Sequence, residues 1–515
     1  MLVLSPVRDF LFLCLCGLFY RIFRNRRKRL LPLPPGLPRW PILGNALSMP
    51  LTYAHIYYKR LGDKLGTKFI YMEAVGQPIL IINDYNVARD LLEKRSALYS
   101  SRPRSPMIEH IMGLTRFFFT IMPYGDHWRN HRRLFQRYFD IKNLPRDQER
   151  QLDFVRKSLL PNLFAAPEES HEHMANCVGG LILSMVYGLP VKTRHDRLVQ
   201  FSEKTFTDLA AVAAPGRYLV NIIPQLRYLP DWFPGTGFKK DARDILREVK
   251  LLREEPYQAT LNAMNEGVLQ HCFVSENVEK LRDAPDSDER IDDVKNVALS
   301  IFNAGFETSV GVMMTFVLAM LKNREAQRQA QIEIDSVLGH ERLPTFSDLS
   351  DLPYLSAVVK EVLRWNPIGP VGVPHATTDE DVYDGYYIPK DCVVMSNIYA
   401  MLHDENIFPD PEKFDPGRFI KNGTIVNDIP DPTNIIFGFG SHIAKSMLEI
   451  TAASILCLFD ILPTLDTQGK PIDVVPEFSP ASITSHPLPF KVTLSPRKGK
   501  DVEALLHEYM NVDYV

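Results

Sequence analysis

Hydrophobic and polar positions along this chain change character twice. Near the start, Leu2–Val7 and Phe10–Tyr20 are apolar runs broken by Arg8 and Asp9, and Arg21, Arg24, Arg26, Arg27, Lys28 and Arg29 crowd in behind them. A membrane-spanning helix needs about 20 apolar residues, so the segment reaches that length only with Arg8 and Asp9 at an interface. The basic block on its C-terminal side predicts that the remainder faces the cytosol. A cleaved signal sequence would carry its basic residues first and a small-residue cleavage site last, and neither is present. Residues 1–23 therefore read as an uncleaved membrane anchor. Pro32, Pro34, Pro35, Pro38 and Pro41 come next, around Gly36 and Gly44. Proline fixes its own φ and lacks an amide proton, so residues 24–45 are expected to form a basic, proline-rich, extended hinge.

Beyond the hinge, β-branched and aromatic residues in Thr67–Met72 and Pro78–Ile82, separated by Gly76, predict a β-hairpin. Helical periodicity dominates from Asn86. Its longest run, about Asp292 to Asn323, is apolar on nearly every face, the mark of a helix in the middle of a large core. Pro, Gly and Asp are dense from Asp379 to Pro432, where short strands and loops are expected, and Ser446–Phe459 returns to helix. With no repeat and no clear linker, the pattern gives a mainly α fold with a small β portion over residues 46–498, and a C-terminal tail over 499–515.

Composition narrows the function classes. Hydrophobic residues at 45% and charged residues at 23% suit a chain that buries a sizeable core. A formal net charge of -3 implies no general polyanion partner. No basic or aromatic surface stripe is evident outside residues 21–29, so nucleic acid is not an expected partner. Cys14, Cys16, Cys177, Cys272, Cys392 and Cys457 form no CxxC pair, which fits a reduced compartment without a cysteine-rich metal site.

Chemistry enters at Ala304-Gly305-Phe306-Glu307-Thr308, inside the predicted core helix. A carboxylate and a hydroxyl there need partners. One reading is local: Thr308 bonds back to the Ala304 carbonyl and Glu307 finds a cation. The other is a helix that passes over a cofactor, with Gly305 admitting something flat and with Thr308 and Glu307 supplying protons. Glu361 and Arg364 stand one turn apart near the end of a second helix, and Arg418 lies in the proline-rich Pro411–Phe419 stretch, where it can complete a Glu-Arg-Arg network.

In order and spacing, the hinge, Trp128-x-x-x-Arg132, Ala304–Thr308, Glu361-x-x-Arg364, Phe414–Phe419 and Phe437-Gly438-Phe439-Gly440 resemble the cytochrome P450 family from Pro32 to about Pro496. The resemblance implies the fold of that family and haem b as cofactor. It also implies oxidation of a lipophilic small molecule with O2 and electrons from a separate NADPH-dependent reductase, by a monomer on the endoplasmic reticulum membrane. Matched residues would take the family's roles. Trp128, Arg132, His375 and His442 would meet the haem propionates, Thr308 and Glu307 would assist oxygen activation, and Glu361, Arg364 and Arg418 would lock the support beneath the haem. The stretches around Phe117–Phe119 and Ala211–Ile223 resemble regions that line or cover the substrate cavity.

One position departs from the family. Counting from Phe437, the haem-ligating cysteine is replaced by Ala444, and the glycine two residues later by Ser446. A thiolate holds the iron and pushes electron density toward it; alanine has no lone pair to offer. His442 is the nearest histidine and the substitute ligand that the sequence offers. Three readings stay open: a haem protein with lost or altered oxidation, a ligand-binding, cyclase or isomerase role on the same scaffold, or an ordinary monooxygenase with a sequence error between 441 and 448.

Overall fold

The computed structural model of the chain describes residues 31–213, 216–282, 287–437, 441–480, 484–510 and 512–515. The anchor over 1–23, the basic cluster at 21–29 and Gly438–Gly440 lie outside the described residues. The elements that position the site are α1 (Ala54–Leu65), β1 (Phe69–Ala74), β2 (Gln77–Ile82), α2 (Asp126–Tyr138), α3 (Leu144–Phe154), α4 (Ser170–Tyr187), α5 (Arg197–Ala213), α6 (Gly237–Glu266), α7 (Ser287–Lys322), α8 (Arg324–Leu338), α9 (Pro353–Trp365), β3 (His375–Ala376), β4 (Val393–Ser396) and α10 (Ser441–Leu458).

The apolar run centred on Phe302–Leu321 becomes the 36-residue α7. Val297, Leu299, Phe302, Phe316 and Met320 on it are fully buried. Helices α2, α4, α5, α6, α9 and α10 all pack directly on α7, so it is the axle of the helical body. It is also the one helix long and apolar enough to cross a membrane among the described residues, and its burial accounts for that composition.

The predicted hairpin forms with Phe69 opposite Ile82 and Ala74 opposite Gln77. Its two-residue turn puts Val75 (φ 49°) and Gly76 (φ 84°) in the left-handed region, the turn whose twist matches that of paired strands. Strand β2 then pairs in parallel with β4, and β3 pairs antiparallel with β4. The described part of the proline-rich segment, from residue 31, is docked on the body. Its carbonyls remain acceptors, and Pro32 and Pro35 receive the amides of Tyr387 and Tyr71, each at 2.8 Å. Gly36 allows this docking, because a Cβ there would lie 1.9 Å from the Tyr71 carbonyl oxygen. The last residues are also tied down: Val515 exchanges backbone bonds with Val191, and Val502 and Leu506 are buried.

Beneath α9 lies the expected ion-pair network. Glu361 meets Arg364 through two bonds of 2.7 and 3.0 Å, with both side chains fully buried. Arg418 Nε lies 3.5 Å from Glu361 Oε1, and the Asp415 amide donates to that oxygen at 2.7 Å. The arginines also donate outward, Arg364 to the carbonyls of Leu402 and Lys413 and Arg418 to that of Asp410. Burial pushes the Glu361 pKa up, and Arg364 opposes the shift. Removing the anion strands two cations in a dry site. Glu361→Gln should therefore lower stability by about 3–5 kcal/mol in chemical denaturation; a loss under about 1 kcal/mol would mean that the network is solvated.

Candidate functional site: a cationic edge and a proton-bearing helix

Helix α2 places Trp128 and Arg132 one turn apart on one face. Trp128 packs its ring against Tyr124 with centroids 5.3 Å apart, and Arg132 lies over the Phe135 ring at 5.4 Å. Burial lowers the Arg132 pKa, and no carboxylate counters it. A second cationic pair is built where β3 meets the loop after Tyr99. The Ala376 amide donates to the Ser101 carbonyl at 2.7 Å, which brings Arg102 beside His375. Arg102 donates to the carbonyls of Val373 and Pro374 at 2.9 and 3.0 Å, and burial holds its pKa at about 10. His375 Nδ1 is 2.8 Å from the Tyr99 carbonyl. A carbonyl only accepts, so Nδ1 carries the proton and Nε2 is bare in the neutral ring. Burial first, and the Arg102 charge second, push the His375 pKa down to about 4. Sequence reasoning missed Arg102. Its signal was only a basic Ser101-Arg102-Pro103-Arg104 loop, and the partner that gives it meaning is more than 270 residues away.

His442 lies on a third element. It occupies the first turn of α10, where its charge acts on Asp147 of α3, and its Nε2 is buried without a partner among the described residues. The same turn is fastened to α3 by Gln151, which donates to the Ile443 carbonyl at 3.1 Å and accepts from Ser446 at 2.9 Å. Helix α10 starts five residues earlier than the sequence pattern suggests, so half-buried Ala444 lies inside it.

On α7, the local reading of Thr308 holds: its hydroxyl donates to the Ala304 carbonyl at 2.7 Å. Glu307 finds no lysine or arginine. Its Oε1 accepts from the Thr484 hydroxyl at 3.1 Å, and burial raises its pKa, so it keeps its proton to a higher pH than a free carboxyl does. Glu307 faces a cavity of about 800 Å³ between α4, α5, α7 and the described residues Ser479, Thr484 and His486–Phe490, with Phe206, Phe306, Val310, Met314 and His486 among its walls. Thr308, one residue on, is not part of that lining. Gly305 has a packing reason. A Cβ there would lie 3.0 Å from Ile182 Cδ1, so the glycine also eases the crossing of α4 over α7. Ala304, by contrast, is exposed in the middle of this otherwise buried helix, with Thr308 half-buried one turn on. Phe117–Phe119 docks one turn earlier, through Ser300, which accepts from the Phe119 amide at 3.2 Å and donates to the Phe117 carbonyl at 3.1 Å.

Comparison with known proteins bears on this arrangement. Residues 34–494 match the family model for cytochrome P450. The chain is 38% identical over 497 residues to cytochrome P450 monooxygenase ple1 of Rhodocybe pseudopiperita, covering 95% of this chain and 94% of that one. It is 36% identical to a cytochrome P450 monooxygenase of Armillaria gallica (95% and 96% covered) and 35% identical to cytochrome P450 monooxygenase COX2 of Coprinopsis cinerea (94% and 92% covered). The chain belongs to the cytochrome P450 family. It is a monooxygenase of the cytochrome P450 type, and the family implies haem.

The chemistry of the residues present suits the propionates of that group but not its iron. Arg132 and Arg102 are part-buried cations without a carboxylate, and Trp128 and His375 accompany them, a donor set suited to the two propionates. At the ligand position Ala444 presents only a methyl group. Cys457 is 13 residues further along the same helix, about 20 Å away along the axis, where it is buried close to the Arg342 carbonyl. No thiolate is therefore available to the iron among the described residues, and no step is derived through it.

A propionate at His375 requires Nε2 to carry a proton, which the ring lacks near neutral pH when nothing is bound there. With a propionate held there, haem loading would take up a proton at this residue, so affinity should fall by up to about tenfold per pH unit as pH rises above about 4, followed by Soret absorbance on titrating haem into the protein. His375→Arg, with a permanent charge, should flatten that slope; equal slopes in both proteins would remove His375 from the propionate site.

Proposed function

We propose that this cytochrome P450 oxidises a lipophilic small molecule, with O2 and electrons from a separate NADPH-dependent reductase, and that Ala444 limits its turnover. The observation that carries the reading is the α7 wall. A cavity large enough for a drug-sized ligand, apolar around Phe206, Phe306, Val310 and Met314 and acidic at Glu168, Glu169, Glu172 and Glu203, meets a carboxyl that burial makes hold its proton to a higher pH than a free carboxyl does. Glu307 is the proton holder and Thr484 orients it, while Thr308 next to it is fixed by its bond to Ala304. Haem, when bound, supplies oxygen activation, which in this family rests on an electron-rich thiolate ligand. Ala444 removes that ligand, and the turn of α10 that carries it is anchored to α3.

The surface supports the partner and the location. The absence of a basic stripe outside 21–29 does not survive folding, because α2 exposes Arg129, Arg133 and Arg137 in a row four residues apart. Such a row suits an acidic electron-donating protein. A second patch is apolar: Trp40, Ile42, Leu47, Leu51, Leu219 and Trp232 are all well exposed. Leu51 closes on Gly216, where a Cβ would lie 3.1 Å away, so the two segments form one surface. Continuous apolar patches of this kind mark protein or membrane contacts. Together with the N-terminal apolar and basic segments, this supports a body resting on the cytosolic face of the endoplasmic reticulum membrane.

Ala444 also favours a second reading: a P450-fold protein that binds its lipophilic ligand, or rearranges it by cyclisation or isomerisation, without oxidation. Turnover separates the two. With reductase, NADPH, O2 and a panel of lipophilic substrates, Ala444→Cys should raise product formation at least about 100-fold, roughly 2.7 kcal/mol of barrier. Haem-loaded Ala444→Cys protein that stays inactive would favour the non-oxidative reading. Equal rates in the two proteins would show that Ala444 imposes no limit.

The membrane surface has its own test. Protein lacking residues 1–30 should still co-sediment with anionic vesicles, and Leu51→Ser with Trp232→Ser should weaken that binding at least about 100-fold, since burying each side chain is worth roughly 1.5–3 kcal/mol. Unchanged binding would assign the patch to something else.

A further inference from the structure

Away from the cavity and the Ala444 turn, α2 and α7 meet at three side chains that none of the roles above uses. His127 and His131 stand four residues apart on α2, so their rings lie on one face, with centroids 4.4 Å apart. Asp293, in the first turns of α7, puts a single oxygen between them. Its Oδ1 is 2.9 Å from His127 Nε2 and 2.8 Å from His131 Nε2. The three potential ligand atoms all lie within 4.8 Å of one another. We propose that His127, His131 and Asp293 form a binding site for a borderline divalent metal ion of the Zn2+ type, bridging α2 to α7.

Charge and access both suit such an ion. Asp293 is largely buried, and its only ion-pairing partners among the described residues are these two imidazoles. The neighbouring carboxylate, Asp292, is instead held by Arg253 at 2.7 Å. Two neutral imidazoles and one carboxylate carry a net charge of about -1, which a divalent ion more than compensates. Imidazole nitrogen and carboxylate oxygen are the donors that zinc takes at about 2.0–2.2 Å, with a fourth position left to water. His131 is fully buried and His127 about half exposed, so the site opens to solvent on one side, and His127 is free to shift by the few tenths of an ångström that insertion requires. A metal at both Nε2 atoms places the remaining ring protons on Nδ1. His131 Nδ1 is buried with no acceptor among the described residues. Without that outer hydrogen bond, affinity is lowered by about 10–100-fold, so binding belongs in the micromolar range.

The site has a structural consequence. Trp128 and Arg132 each directly follow one of the histidines, so a bound ion pins to α7 the same two turns of α2 that carry them. Binding to the folded state alone raises stability by mass action.

The test uses untagged, EDTA-stripped full-length protein, with Zn2+ titrated against a chromophoric zinc chelator and the melting temperature followed alongside. The expected result is one Zn2+ per chain at micromolar affinity, with Tm raised by at least about 2 °C at 100 µM Zn2+. His127→Ala, at an exposed position, should keep the metal-free Tm and weaken binding at least about 30-fold, and Asp293→Asn should do the same to binding. Two results would overturn the proposal. One is no binding below about 1 mM Zn2+. The other is binding that survives His127→Ala but is lost in Glu172→Ala, which would place the ion at the exposed Glu169, Glu172 and His195 cluster.

Discussion

A 36-residue helix with apolar residues on nearly every face is stable in water only when other elements cover it on all sides. That constraint organises the whole protein. Helices α2, α4, α5, α6, α9 and α10 are the cover, and the sheet is set to one side of them. Polar groups on such a helix are costly unless partnered, so each one reports a specific contact. Ser300 fastens Phe117–Phe119, Thr308 satisfies itself on Ala304, and Glu307 is left with one hydroxyl partner at the edge of a cavity. Asp293, at the solvent end of the same helix, gathers two histidines. The candidate chemistry of the molecule is arranged along this axle.

What could be read from the sequence was what local pattern encodes. Periodicity gave the core helix, the hairpin and the Glu361–Arg364 turn within a few residues of where they lie. The family motifs pointed to Trp128, Arg132 and His375, of which Arg132 and His375 are part-buried with burial acting on their charge. What could not be read depends on segments distant in the chain. Arg102 gains significance only because Ser101 pairs with Ala376. The proline-rich segment looked like a spacer because proline cannot donate, but its carbonyls still accept from Tyr71 and Tyr387. Gly305 also lies against Ile182 of another helix, a packing contact that its own stretch of sequence does not announce. The arginine row on α2 was invisible as a stripe, because only the helical repeat aligns Arg129, Arg133 and Arg137.

Family membership and the ligand position pull in different directions. The ion-pair network, the part-buried cations and the proton-bearing helix are retained, while the residue that would give the iron its electron-rich ligand is an alanine. The first group of features holds shape and charge; the second concerns one bond to one atom. On the function proposed above, binding and catalysis separate in this protein: the fold and its part-buried cations would hold the cofactor and ligand, and the side chain at 444 would limit what the iron can do.

The reduced, carbon-monoxide-bound absorbance spectrum of the purified protein, read together with its haem content, tests this separation most directly. The account predicts haem close to one per chain, no thiolate-type band, and the appearance of that band in Ala444→Cys. A thiolate-type band from the protein with Ala444, or a protein that takes up no haem while its Ala444→Cys variant does, would contradict it.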